Sequence, residues 1–580
     1  MSRELGHLSS VTLSLGWQFR AKDVPGNGNW LLVSKVPSLV HLDLMENQKL
    51  VSSLLNPEPL LIWQTWTYNT TVKRPSNSET AQAVLVFEGL DTLATTMLDG
   101  KVILENSNMF LTHRVDITHP LPPSKEAVLE IDFASALLHG RAMEKAPPEH
   151  RFIACNEEAG RVALRKAQYH WGRDGGPILM TAGPWRPVRL EMYHARVADL
   201  RTQLDVSKYL KTAAGTFHAK VEGNVDLVSF TLKLQGQIIV QKAVQVENGH
   251  AIHEVLIENS HLWYPHGYGS QPLYDFSAEI CTDEIILDTA TKRIRLRRGE
   301  LIQKNGFHGK SFYFRVNGVN VFGGRNCWVP ADNFTPLISK DSDETSLLSL
   351  NLTDPSCRLG ILIWQDFMFA CASYPAWPKF LDSVKEEGTQ NLRWLRHHPS
   401  IVIYAGNNED YQVKTNYPSR YIFEHLLPQV MAQESPDVPY WPSSPYSEAG
   451  KPTSDPTTGD IHQWNVWHGT QEKYQVFESL RSRFNSDFSI EAFPHIQTIQ
   501  HFVEDPSELY PQSHTPGFYN KADGHERRIA TYLVENFKTT TNLEAYIHLT
   551  QLVQSEALMY AYCGWRKQWG DNRKCGGALV

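Results

Sequence analysis

The chain has 580 residues, 41% of them hydrophobic and 20% charged, with a formal net charge of −8. That length exceeds one ordinary domain and predicts two to four, and the balance is that of a globular protein. The acidic sign and the lack of a long Lys/Arg cluster exclude a surface built for nucleic acid or an anionic membrane.

The opening residues, Met1–Gly16, show no basic segment followed by an apolar one, so no signal peptide is expected. No apolar run approaches the roughly 20 residues of a membrane span. Seven cysteines (Cys155, Cys281, Cys327, Cys357, Cys371, Cys563 and Cys575) are scattered without CxxC spacing. They predict reduced thiols in a cytoplasmic protein rather than a disulfide framework or a zinc site. Aromatic residues reach 11%, which suits both sugar-stacking surfaces and β-sandwich cores.

The first third reads as short strands between turns. Ala83–Phe87 is strand-like, Asp99-Gly100 is a hairpin signal within Met97–Leu104, and Val188–Met192 follows a Pro-rich turn as a closing strand. From about Ala195 the strands continue, and Val228, Phe230, Leu232 and Leu234 alternate with polar residues as one half-buried face. This texture extends to about Arg298, the size of an immunoglobulin-like sandwich. Asn317-Gly318 then predicts a type I′ hairpin. Beyond it, helix and strand alternate. Phe380, Val384, Leu392 and Leu395 keep helical spacing, Pro399 ends that helix, and Ile401–Ala405 is continuously apolar like a buried parallel strand. Gly360–Trp364 is similar. Such alternation suggests a (β/α) barrel. Asp341–Pro355 is aperiodic, and Pro436–Asp460 reads as a long surface loop.

The strand Ile401–Ala405 runs into Gly406-Asn407-Asn408-Glu409-Asp410. Catalytic groups of a parallel barrel sit where strands end. A carboxylate there can protonate a glycosidic oxygen if its surroundings raise its pKa, and an adjacent amide can hold a hydroxyl. The same residues suit an ordinary polar turn, and spacing alone does not choose between the two.

The stretch Leu395–Glu409 resembles the acid/base segment of the β-mannosidases of glycoside hydrolase family 2, especially the fungal intracellular kind. So do Phe87–Thr92, Lys166–Gly172, Trp328–Phe334, Trp364–Phe369 and Gly459–Gly469, in order along nearly the whole chain. The resemblance implies a multidomain β and α/β protein. Residues 1–194 would form a galactose-binding-like jelly-roll, 195–298 an immunoglobulin-like sandwich, and 299–580 an incomplete (β/α)8 catalytic barrel.

It further implies hydrolysis, with retention, of terminal non-reducing β-D-mannose from oligosaccharides, including N-glycan fragments. Glu409 takes the acid/base position and Asp487 that of the nucleophile. Asn408, Asp174, Trp171, Trp364, His462 and Trp467 are implied substrate-binding residues. No cofactor, metal, nucleic acid or membrane partner is expected; the partner is a β-mannoside oligosaccharide.

Several positions depart from the family pattern. Asp487 stands in Asn485-Ser486-Asp487-Phe488-Ser489 where the family has Glu, and a Trp-Asp-Trp segment is represented by Arg173-Asp174-Gly175. The barrel segment expected before Leu359 is replaced by Asp341–Pro355, and the strand beginning at Cys575 is expected to stop short and leave the barrel unclosed. These departures keep two alternatives open: another family 2 exo-β-glycosidase, such as an exo-glucosaminidase or β-galactosidase, and a non-catalytic sugar-binding remnant.

Overall fold

The computed structural model describes residues 8–22, 29–50, 64–76, 81–146, 151–155, 158–282, 285–328, 332–338, 359–412, 417–521, 524–570 and 574–580. The aperiodic stretch Asp341–Pro355 lies outside these residues. Within them, no helix is long and apolar enough to cross a membrane.

Two antiparallel sheets share the first core. The six-stranded sheet runs Leu31–Val33, Trp17–Ala21, Trp66–Lys73, Glu126–Ala134, Leu93–Leu98, Lys101–Asn106. The four-stranded sheet runs Ser9–Thr12, Val188–Tyr193, Gln82–Phe87, His113–Asp116. Alternation sends Ala127, Leu129, Ile131 and Phe133 inward against Trp17, Phe19, Tyr68, Leu85 and Leu190. The predicted turn at Asp99-Gly100 has φ of 46° and 76°, the two positive values that a type I′ hairpin requires.

The second core lies between a three-stranded and a four-stranded antiparallel sheet, spanning Ala195–Val206 to Ile285–Ile294. Val228, Phe230, Leu232 and Leu234 are all buried in it, as their period of two predicts. Phe276 joins the sheets, with Phe217 at 4.6 Å and Phe230 stacked at 5.9 Å.

Beyond a hairpin turned by Asn317 (φ 47°) and Gly318 (φ 79°), pairing becomes parallel. Ile401–Ala405, buried at every position, lies between Ile363–Asp366 and Tyr440–Trp441. A second parallel sheet has the order Gly323–Arg325, Gly577–Leu579, Asn485–Asp487, Ile461–His462. The strand that begins after Cys575 therefore does not present the open edge expected of it, because it is paired on both flanks.

The helix Pro378–Leu395 starts with proline in its first turn and buries Phe380, Val384 and Leu392, the predicted stripe. The expected surface loop Pro436–Asp460 needs correction. It contains the strand Tyr440–Trp441, and Ser443, Ser444, Thr458 and Asp460 are buried, since this segment walls the ends of the parallel strands.

Candidate active site

The chain leaves Ile401–Ala405 through a turn that tolerates few substitutions. A Cβ at Gly406 would fall 2.4 Å from the carbonyl oxygen of Pro442, so only glycine fits. Asn407 is fully buried; its Nδ2 donates to the Pro442 carbonyl at 3.1 Å, and its Oδ1 accepts from Ser443 at 2.7 Å and the Asp410 amide at 3.1 Å. These bonds deliver Glu409 in a left-handed conformation, φ 63°. That backbone costs on the order of 1–3 kcal/mol for a non-glycine residue. It is held because the Glu409 amide donates to the Ser444 carbonyl at 2.7 Å.

Three side chains meet the Glu409 carboxylate. Trp464 Nε1 donates to Oε1 at 2.9 Å, His462 Nδ1 lies 2.9 Å from the same oxygen, and Cys371 Sγ donates to Oε2 at 3.0 Å. Burial pushes the Glu409 pKa up, but the bond and charge of His462, with the bonds from Cys371 and Trp464, outweigh it and hold the carboxyl at about 2. Burial also pushes the Cys371 thiol up, so it stays a donor. Arg173 Nη2 donates to that thiol at 2.8 Å.

A second carboxylate approaches His462 from the next strand. Asp487 Oδ2 lies 3.9 Å from Nδ1. The Glu409 and Asp487 oxygens thus lie no farther apart than the combined length of two short contacts. A retaining glycosidase needs its pair roughly 5–5.5 Å apart, whereas an inverting one leaves roughly 6.5–9.5 Å for a water. Nearby, burial pushes the Asp366 carboxyl up to about 7, against the bond that it accepts from Trp364 Nε1 at 2.9 Å.

The site residues expected from sequence divide clearly. Glu409, Asp487 and His462 converge. Asn408 stands beside them, half-buried, and among the described residues none hydrogen-bonds its side-chain amide. Trp364 is half-buried, flanked by Phe312 and Phe484 at 6.0 and 5.7 Å. Asp174 belongs to the 3-10 turn Arg173–Gly175, and its side chain lies outside the described residues.

Trp171 and Trp467 are corrections: instead of lining a sugar site, both are core residues. Trp171 is fully buried against Leu137, Leu164 and Met180, and Trp467 stacks on Tyr532 at 5.9 Å. Glu491 stands apart, paired with His525. Sequence reasoning missed Trp464 and Cys371. Two-residue alternation from His462 would have found Trp464, whereas nothing local marks Cys371.

Residues 17–186 match the galactose-binding domain-like family of glycosyl hydrolase 2, and residues 195–297 match glycosyl hydrolases family 2. Beta-mannosidase B of Aspergillus niger is 47% identical over 619 aligned positions, covering 99% of this chain and 73% of that protein. The chain belongs to glycoside hydrolase family 2.

Beta-mannosidase B of Aspergillus fumigatus is also 47% identical, over 99% of this chain and 74% of that protein. The crystal structure of a β-D-mannosidase from Dictyoglomus thermophilum superposes with a TM-score of 0.91 at 30% identity, covering 99% of this chain and 74% of that one. An exo-β-D-glucosaminidase structure shares the fold at a TM-score of 0.71 and 15% identity.

Proposed function

We propose that this family 2 chain is a β-mannosidase that removes terminal non-reducing β-D-mannose from oligosaccharides, N-glycan fragments included, in the cytoplasm. The observation that carries the reading is the convergence of Glu409 and Asp487 on His462 Nδ1, at 2.9 and 3.9 Å, in a chain 47% identical to β-mannosidase B. Residues 1–194 are the jelly-roll, 195–298 the immunoglobulin-like sandwich, and 299–580 the (β/α)8 barrel region. The seven parallel strands among the described residues support the last assignment.

Asp487 attacks the anomeric carbon while Glu409 gives a proton to the departing oxygen. Glu409 then takes a proton from water as that water displaces Asp487, so configuration is retained. Asn408 would hold the hydroxyl next to the reacting carbon, and Trp364 and Asp174 would serve the sugar ring, the roles that the family resemblance implies. Asp is one methylene shorter than Glu, and a misplacement of about 1 Å can cost roughly 100-fold. A panel of nitrophenyl β-glycosides tests the reading: preference for the mannoside supports it, and preference for the galactoside or glucosaminide replaces it with a sister activity.

A second reading, sugar binding without turnover, is favoured by the shorter Asp487 and by Arg173 standing at the site's edge. Mannose binding by calorimetry with no release of nitrophenol would establish it.

A further inference from the structure

We propose that one proton is shared between Glu409 and His462, and that a chain from Asp460 through Ser444 keeps it available to Glu409 as the acid of the reaction. This rests on the assignment of Glu409 above, and it gives His462 a positioning role rather than a hold on the sugar.

The argument counts donors. Asp460 is fully buried and its carboxylate accepts four hydrogen bonds. Oδ1 takes Trp441 Nε1 at 2.7 Å and the Tyr446 amide at 2.9 Å; Oδ2 takes Ser486 Oγ at 2.5 Å and Ser444 Oγ at 3.0 Å. A serine hydroxyl has one hydrogen. With that of Ser444 given to Asp460, its oxygen must accept from the other neighbour, His462 Nε2, at 3.0 Å. Nε2 therefore carries a hydrogen.

On the opposite side of the ring, Nδ1 lies 2.9 Å from Glu409 Oε1. A bare nitrogen lone pair and a bare carboxylate oxygen are both acceptors and would not sit at that distance. A proton lies between them. The pair is either imidazolium with carboxylate or imidazole with carboxylic acid, and a short transfer along one hydrogen bond interconverts the two.

In the resting site the proton belongs to His462. Trp464 and Cys371 donate to the carboxylate, and Asp487 and Asp460 add negative charge beside the ring. Bound sugar changes that balance, because Asp487 spends its charge on the anomeric carbon. The Nδ1–H bond then breaks as the Glu409 O–H bond forms, leaving neutral imidazole. Glu409 passes that proton to the glycosidic oxygen, which keeps the electron pair of the broken C–O bond. When water later attacks, Glu409 takes its proton and returns it to Nδ1.

The test is nitrogen NMR of the full chain labelled at histidine, with His462 assigned by its loss in His462→Gln. Nε2 is expected to stay protonated from about pH 5 to about pH 8, with Nδ1 losing its proton above the ordinary histidine value of roughly 6.5. In Glu409→Gln the affinity of Nδ1 for its proton should fall at least about tenfold, one pKa unit. An unprotonated Nε2 at neutral pH would place the proton on Asp460 and overturn the proposal, as would a titration unmoved by Glu409→Gln.

A second arm separates this from the functional reading. His462→Gln should lose about tenfold more kcat/KM on an alkyl β-mannoside than on a dinitrophenyl one, because only the former needs the acid. Equal losses on both would overturn the role in acid catalysis. A shared proton with no β-mannoside turnover would uphold the pairing and remove the functional reading. Turnover with a bare Nε2 would do the reverse.

Discussion

Arg165 and Glu387 form a buried two-pronged ion pair, Nε to Oε2 at 2.8 Å and Nη2 to Oε1 at 2.6 Å, with side chains 2% and 3% exposed. Arg165 comes from the N-terminal β domain and Glu387 from the helix Pro378–Leu395, which leads into the strand carrying Glu409. Arg165 Nη1 also donates to the Met368 carbonyl at 3.0 Å, and Asn108 Nδ2 to Glu387 at 2.9 Å. The β domain thus braces the floor of the site.

Removing one partner leaves a charge buried without its counter-ion, so Arg165→Met should cost about 3–5 kcal/mol. Urea unfolding measures it. Arg165→Met with Glu387→Met should recover much of that loss, but not all, since Asn108 and the Met368 carbonyl lose partners. A single variant as stable as the parent would show that the pair does not join the two regions.

Acid stability follows from Glu409. Its folded carboxyl is held at about 2, below the ordinary 4.5. The stability it contributes is fully present above the unfolded value and is lost as pH falls through the folded one. Glu409→Gln should therefore unfold less steeply than the parent as pH drops from about 4.5 to about 2. His462, whose pKa is raised by Glu409, Asp487 and Asp460 against burial, contributes oppositely. Its share is complete below the ordinary histidine value and fades as pH rises through the higher folded one. Urea midpoints across pH for both proteins check the two signs; parallel curves would contradict them.

Glu409→Gln should slow hydrolysis of alkyl β-mannosides by roughly 100- to 10,000-fold, the range of general acid catalysis. The loss should be smaller for a dinitrophenyl leaving group, which departs without a proton. Steady-state rates on both substrates decide it, and full activity on the alkyl substrate would exclude Glu409 as the acid.

The strand Ile401–Ala405 and the helix before it were legible because burial on both faces and a 3.6-residue stripe leave local patterns. Glu409 was legible only as the end of that strand. The groups around it were not: Cys371, Ser444, and Asp460 with Trp464 come from three separate stretches, and only the fold joins them to it. The resemblance misled at Trp171 and Trp467, since an indole serves a core as well as a sugar. The polar composition of Pro436–Asp460 hid a strand because its serines are buried against the Asn407 side-chain amide and the Asp460 carboxylate rather than water.

Asp487→Glu should raise β-mannosidase activity, through kcat more than KM, because the longer side chain brings the carboxylate to the anomeric carbon. The gain could reach about 100-fold, judged from the sensitivity of near-attack geometry. Asp487→Ala should be no better than the parent. Equal rates in all three proteins would remove Asp487 from the reaction.

The most direct measurement is trapping of the covalent intermediate. A 2-deoxy-2-fluoro-β-mannosyl fluoride carries a good leaving group, and its fluorine slows release of the sugar from the protein. Digestion and mass spectrometry then locate the ester. The account predicts a fluoromannosyl adduct on the peptide containing Asp487, absent in Asp487→Ala and more abundant in Asp487→Glu. An adduct on any other residue, Glu491 included, or no adduct on a chain that hydrolyses β-mannosides, would contradict it.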